Sequence, residues 1–189
     1  PQIVLEPNLP NSYICPLCFN AFSKLDLSDD SENSLTIEHV PPRKMGGKPL
    51  ILTCKTCNST AGHELDSHLL HVLQHESFKN FQPNSKLAAV YEKDGRKMNG
   101  EVKIDQTGTL IMNLISERSN PEHSNYILDQ LSLTTRRLMD YEAIVNYSPQ
   151  PINLNFSVKS AGKQVNAEIS LLRIAYLLAF SKFGYGWLI

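Results

Sequence analysis

Apolar and polar positions along this chain change their spacing several times, and each change predicts an element. Leu35-Thr-Ile-Glu-His-Val40 alternates and is rich in β-branched residues, so it reads as a short strand ending at Glu38-His39 and stopped by Pro41-Pro42. Arg43 to Pro49, with Gly46-Gly47 inside it, reads as a loop, and Leu50 to Thr53 as a second short strand. From Asn58 the spacing lengthens. Leu65, Leu69, Val72 and Leu73 fall three and four apart, which predicts an amphipathic helix to about residue 78. Upstream, the proline-rich residues 1–12 read as an extended arm or strand and the acidic residues 26–34 as an exposed loop.

The second half has a different rhythm. Leu87 to Glu92, Gly100 to Asp105 and Thr109 to Ile115 are separated by Lys93-Asp-Gly95 and Gln106-Thr-Gly108, which predicts an antiparallel meander. Pro121 suits the first turn of a helix capped by Asn120 and running to about Ser132. Ile152 to Val158 alternates and predicts a further strand. Glu168 to Phe183 is apolar on most faces and predicts a buried helix stopped by Gly184. The apolar end Tyr185-Gly-Trp-Leu-Ile189 needs burial, as a sheet strand. The expected class is α+β. Residues 1–80 form a compact core, and residues 81–189 form an α+β elaboration for substrate, oligomer or partner contacts.

Bulk properties narrow this only a little. The chain has 189 residues, 41% of them apolar, and a formal net charge of -1, so no global positive field announces a nucleic-acid partner. No apolar run reaches the roughly 18 residues of a membrane span, and no signal peptide is recognisable. A chain opening on Pro1 is expected to have lost a methionine or been cut from something longer. All four cysteines fall in two pairs, Cys15-Pro-Leu-Cys18 and Cys54-Lys-Thr-Cys57. Two disulfides would suit a secreted domain, but this spacing favours one zinc ion held by four thiolates, and with it a cytoplasmic setting.

The pairs bracket the chemistry. Between them lies Leu-Thr-Ile-Glu38-His39-Val-Pro-Pro-Arg-Lys-Met-Gly-Gly-Lys, and the second pair runs directly into Asn58. A carboxylate-histidine pair ending a strand, a following proline, a glycine-containing loop and Cys-x-x-Cys-Asn opening a helix resemble the HNH endonuclease family. The resemblance covers residues 15 to about 66. It implies a ββα-metal fold, with His39 as general base and Glu38 and Asn58 binding a catalytic Mg²⁺ or Mn²⁺. DNA is the implied substrate, with RNA not excluded, and the products carry a 5′-phosphate and a 3′-hydroxyl.

The roles also follow from the chemistry. Phosphodiester hydrolysis needs a proton acceptor for water, charge relief on the phosphate and stabilisation of the leaving oxygen. Histidine titrates near neutrality, and magnesium prefers a few side-chain oxygens. Adjacent strand residues point to opposite faces, a constraint that relaxes where the strand gives way to a loop. The chain departs from the family in three ways. Glutamate stands where aspartate is commoner, Pro49 stands about where an asparagine usually pins the loop, and Asn58 replaces a histidine.

Arg43, Lys44, Lys48 and Lys55 form a local basic strip suited to phosphate. His63 is open between a donor behind the ligands, a phosphate contact and an extra metal ligand. His68, His71 and His75 read as a solvated polar face, Glu64 and Asp66 as acids serving the helix N-terminus, and Tyr176, Phe180, Tyr185 and Trp187 as core. A setting in prokaryotic defence or restriction, a homodimer and a further domain or subunit belong to the same expectation. The competing reading is a catalytically inactive, zinc-stabilised module that binds nucleic acid or docks a partner.

Overall fold

The computed structural model describes residues 11–28, 33–139 and 153–187. The chain is α+β and divides into two compact units, Pro1–Leu73 with Ala161–Ile189, and Gln74–Ser160. The last helix therefore groups with the first unit.

In the first unit, β1 (Tyr13–Ile14) and β2 (Ala21–Phe22) form a small hairpin around the first cysteine pair. β3 (Leu35–Val40) pairs antiparallel with β4 (Lys48–Cys54), and the register slips between Glu38, opposite Ile51, and His39, opposite Pro49. Helix α1 (Lys55–Ala61) follows at once, its N-terminus capped by the Cys54 sulfur, which accepts from the Cys57 N–H. It thus begins three residues before Asn58. A π-turn, Gly62–Asp66, connects it without a break to α2 (Ser67–Lys79), and the division between units falls inside α2.

The core beneath this hairpin consists of Cys15, Phe22, Leu35 and Cys54, with Tyr13, Leu17 and Leu52 packed against them. In a unit this small, the cysteine side chains form a large part of the hydrophobic contact. Gly47 closes the β3–β4 loop against Pro41, where a Cβ would lie 1.4 Å from the Pro41 carbonyl oxygen, so no other residue fits.

The second unit holds the predicted meander. β5 (Lys86–Lys93), β6 (Arg96–Ile104), β7 (Leu110–Leu114) and β8 (Asn155–Val158) form an antiparallel sheet in the order β7-β6-β5-β8. Asp94 and Gly95 both have positive φ, the two-residue turn that an Asp-Gly pair favours between strands. Alternation places Leu87, Ala89, Tyr91 and Val102 in one cluster, with Phe78, Leu114 and Leu154 against it. Helix α3 (Pro121–Met139) is capped as expected, since Asn120 Oδ1 accepts from the N–H of Glu122 at 2.9 Å, but it continues well past Ser132.

Helix α4 (Gln164–Phe183) corrects two expectations. Only one stripe of it is buried, including Ala167, Ser170, Leu177 and Phe180, while Leu172 is 71% exposed. After it, Gly184–Trp187 winds into a 3₁₀ turn instead of a strand, with Gly184 at φ +63. Residues 188–189 and the arm 1–10 lie outside the described residues. Among the described residues no helix is long and apolar enough to cross a membrane.

Candidate functional site

The four cysteines converge. Their sulfurs all lie within 4.8 Å of one another, and Cys18 Sγ is 3.8 Å from Cys54 Sγ. A tetrahedron with metal–sulfur bonds of about 2.3 Å has sulfurs about 3.8 Å apart, so the donor set fits a zinc ion. Burial, and after it the thiols of Cys54 and Cys18, push the Cys57 thiol well above its ordinary range. Thiols crowded this closely resist ionising together unless a cation joins them.

This knuckle is tied by two hydroxyls, one on α4 and one on the 3₁₀ turn after it. Tyr176 donates to the Pro16 carbonyl at 2.6 Å, and Tyr185 accepts from the Ile14 N–H at 3.0 Å while donating to the Ile14 carbonyl at 2.5 Å. Phe180 packs edge-on against Tyr185, with centroids 5.0 Å apart. Of the rings expected in the core, Phe180 is buried and Tyr176 and Tyr185 are half-buried, and the side chain of Trp187 lies outside the described residues.

Beside the knuckle a cleft of about 300 Å³ opens between β3, the loop after it and the start of the long helix. Glu38, His39 and Asn58 all line it, together with Arg43 and Lys44. The slip in register explains how two neighbours on a strand reach one cleft. Leu50 is an extra residue in β4, and such a bulge twists the strand locally and re-aims the side chains beside it.

Asn58 is oriented by β3. Thr36 Oγ1 donates to the Thr53 carbonyl at 3.2 Å, so toward Asn58 it can only accept, and the Asn58 amide nitrogen donates to it at 3.0 Å. The amide nitrogen is thereby spent on the strand, and the carbonyl oxygen is the end left for a ligand. Glu38 is only 3% exposed. Its Oε2 accepts from Thr53 Oγ1 at 3.4 Å, and its Oε1 lies 3.2 Å from Arg173 Nη2. Burial pushes its carboxyl above the ordinary value, Arg173 pulls it down, and Asp66 pushes it up again. A carboxylate and an amide oxygen are the donors that a hard divalent cation takes.

Other candidates are dispersed. His63 is exposed and does not reach the cleft, and its carbonyl accepts from Ser67 Oγ. Lys48 and Lys55 are exposed but line no part of the cleft, so only half of the basic strip faces it. The three spaced histidines do separate jobs instead of forming one solvated face. His71 lines the cleft, and His68 Nδ1 accepts from the Lys163 N–H at 3.0 Å beside the start of α4. In the second unit, the His75 ring meets the Lys159 carbonyl at 2.8 Å.

Asp66 is the residue that local pattern misassigns. It is buried, and it accepts from Ser170 Oγ at 2.6 Å and from Arg173 Nη2 at 2.8 Å, instead of serving a helix terminus. Eight residues separate it from Asn58. At about 100° per residue that leaves a regular helix about 80° out of phase. The π-turn absorbs one residue, so Asp66 stands roughly where a seventh would, within about 20° of the Asn58 face. Both residues line the cleft. Arg173 had one signal in the sequence, a lone charge in an otherwise apolar stretch, which needs a partner when buried.

Residues 27–74, about a quarter of the chain, match the HNH endonuclease family. That span contains Glu38, His39, Asn58 and the second cysteine pair. No curated protein and no solved structure matches the chain.

Proposed function

We propose that the first unit is a metal-dependent endonuclease that hydrolyses phosphodiester bonds of DNA. The observation that carries this reading is the convergence of Glu38, His39 and Asn58 on one cleft within a span matching the HNH endonuclease family. His39 accepts the proton of the attacking water. Glu38 and the carbonyl oxygen of Asn58 hold Mg²⁺ or Mn²⁺, and Arg43 and Lys44 meet the phosphate backbone at the rim. When bound, the metal supplies charge relief to the phosphate and to the leaving 3′ oxygen. The products then carry a 5′-phosphate and a 3′-hydroxyl. Cys15, Cys18, Cys54 and Cys57 hold a structural zinc that fixes the base of the hairpin and the start of α1. Four free thiols suit a reducing, cytoplasmic compartment, and a role in prokaryotic defence goes with this reading.

One observation favours the competing reading of a silent binding module. Glu38 is already satisfied by Arg173 and Thr53, as a purely structural acid would be.

Incubating supercoiled plasmid with protein and Mg²⁺ or Mn²⁺, beside His39→Ala, separates the two. Removing a general base lowers the rate by about 10²- to 10⁴-fold. No nicking by wild type, or equal nicking by His39→Ala, refutes catalysis. Nicks that a ligase seals without added kinase confirm the 5′-phosphate, and single-stranded RNA in a parallel reaction tests the alternative substrate.

A further inference from the structure

Helix α4 carries a buried cation that the chemistry above does not use. The Arg173 side chain is 8% exposed, and its Nη2 lies between two carboxylates, 2.8 Å from Asp66 Oδ2 and 3.2 Å from Glu38 Oε1. These acids come from different elements, β3 and the π-turn, and both line the cleft, whereas Arg173 does not. Ser170, one turn earlier on α4, binds the other Asp66 oxygen at 2.6 Å. Tyr176, three residues later, fixes the same helix to the knuckle through Pro16.

Two features point past a merely structural role. A buried ion cluster is no better than well-packed apolar side chains for holding a helix in place, so stability alone does not call for it. Moreover, among the described residues Glu38 has one other orienting contact, the 3.4 Å hydrogen bond from Thr53. Nη2 makes both contacts, while Nε and Nη1 have no hydrogen-bond partner among the described residues. The rigid, planar guanidinium fixes where that one nitrogen stands between the two carboxylates, which a flexible lysine stem does not.

We propose that Arg173 is the positioning residue of the cleft: carried by the last helix, it ties Glu38 to Asp66 and so holds the Glu38 carboxylate beside His39. It touches neither the phosphate nor the reacting atoms. This inference rests on reading the cleft as a nuclease site, and its test is built to fail separately from that reading.

Full-length, zinc-loaded Arg173→Ala and Arg173→Lys are compared with wild type in two assays. The first is binding of Mn²⁺ without DNA, counted from the free Mn²⁺ signal in electron paramagnetic resonance. A guanidinium acting only as a charge would repel the cation, so its removal would tighten binding. Loss of a group that orients a metal ligand weakens affinity or activity by about 10- to 100-fold. Weaker Mn²⁺ binding in both variants is expected, and unchanged or tighter binding overturns the proposal. The second assay is plasmid nicking, where kcat should fall about 10- to 100-fold with KM for DNA nearly unchanged, and guanidinium chloride at non-denaturing concentration should restore part of kcat to Arg173→Ala but none to His39→Ala. A fall in KM-limited rate alone, or no fall, also overturns it. If wild type fails to nick, the nuclease reading falls while Mn²⁺ binding still decides the role of Arg173. If Arg173→Ala loses its zinc, Arg173→Lys, which keeps the charge and loses the rigid plane that places Nη2, decides both assays.

Discussion

Replacing Arg173 with methionine should destabilise the first unit more than any single change to the two acids it binds. The three side chains are 8%, 4% and 10% exposed for Arg173, Glu38 and Asp66. At 2.8 and 3.2 Å, with an effective dielectric constant of about 20, each pair attracts by about 5 to 6 kcal/mol before desolvation. Desolvation cancels most of that in the intact cluster. It does not cancel when one partner is removed, because the others stay buried and unpaired, and such deletions cost about 3–5 kcal/mol. Asp66→Asn is gentler. The asparagine oxygen can still accept from Arg173, its amide can donate to Ser170, and one carboxylate remains to balance the guanidinium, so about 1 kcal/mol is expected. The double variant Arg173→Met/Asp66→Asn should be less destabilised than Arg173→Met alone, because it no longer buries two like charges together. Its departure from additivity should lie at about 1–3 kcal/mol. Hydrogen exchange of peptides from Gln164–Phe183, with zinc in excess, reads the opening free energy of α4 directly. A cost below about 1 kcal/mol for Arg173→Met, or single costs that add within about 0.5 kcal/mol, would refute the electrostatic argument.

Other perturbations test other parts of the unit. Glu38 is held above its ordinary value of 4.5 chiefly by burial, so the folded state keeps a proton that the unfolded chain releases. Its contribution is fully present below pH 4.5 and is lost as pH rises through the folded value, so Glu38→Gln should gain stability over wild type as pH rises in Mg²⁺-free buffer. A pH-independent difference in urea midpoint contradicts this. Cys57→Ser should hold less than one zinc per chain and expose the knuckle to protease, since structural zinc contributes about 10–16 kcal/mol in small domains. Full zinc content in that variant rules out the four-sulfur site. Tyr185→Phe strands both backbone groups of Ile14 at a cost of about 1–3 kcal/mol, visible as faster exchange of the Ile14 amide. Unchanged exchange shows that the tether is not needed. Gly47→Ala places a Cβ against the Pro41 carbonyl and must displace the loop carrying Arg43 and Lys44, so it should lose nicking while retaining zinc. Wild-type nicking by this variant would mean that the loop does not shape the site.

What could be read from sequence was local. Cysteines with two residues between them announce a metal ligand pair, Asp94-Gly95 announces its turn, and Asn120-Pro121 announces a capped helix, because in each case the interacting groups are within a few residues. The partners of Glu38 were not legible, since Arg173 lies 135 residues away and nothing in either segment encodes the meeting. The π-turn was also invisible. Helical phase computed at a uniform 100° sends Asp66 to the wrong face, and only the inserted turn brings it back. The apolar pattern of α4 indicated a helix but not which stripe of it is covered, because that depends on the unit it joins.

The grouping of α4 with the first unit also has a consequence in time. A ribosome completes β3, β4, α1 and the π-turn before it has made Ser170, Arg173, Tyr176 or Tyr185. About 90 residues, nearly all of them in the second unit, intervene between Leu73 and the start of α4. At 5–20 residues per second, that is a delay of roughly 5 to 20 s. Throughout that interval Glu38 and Asp66 lack their shared cation and the knuckle lacks its tyrosine tethers. A nascent chain therefore carries its candidate cutting residues in an unfinished state, and the cleft is completed only once Gln164–Phe183 has been made.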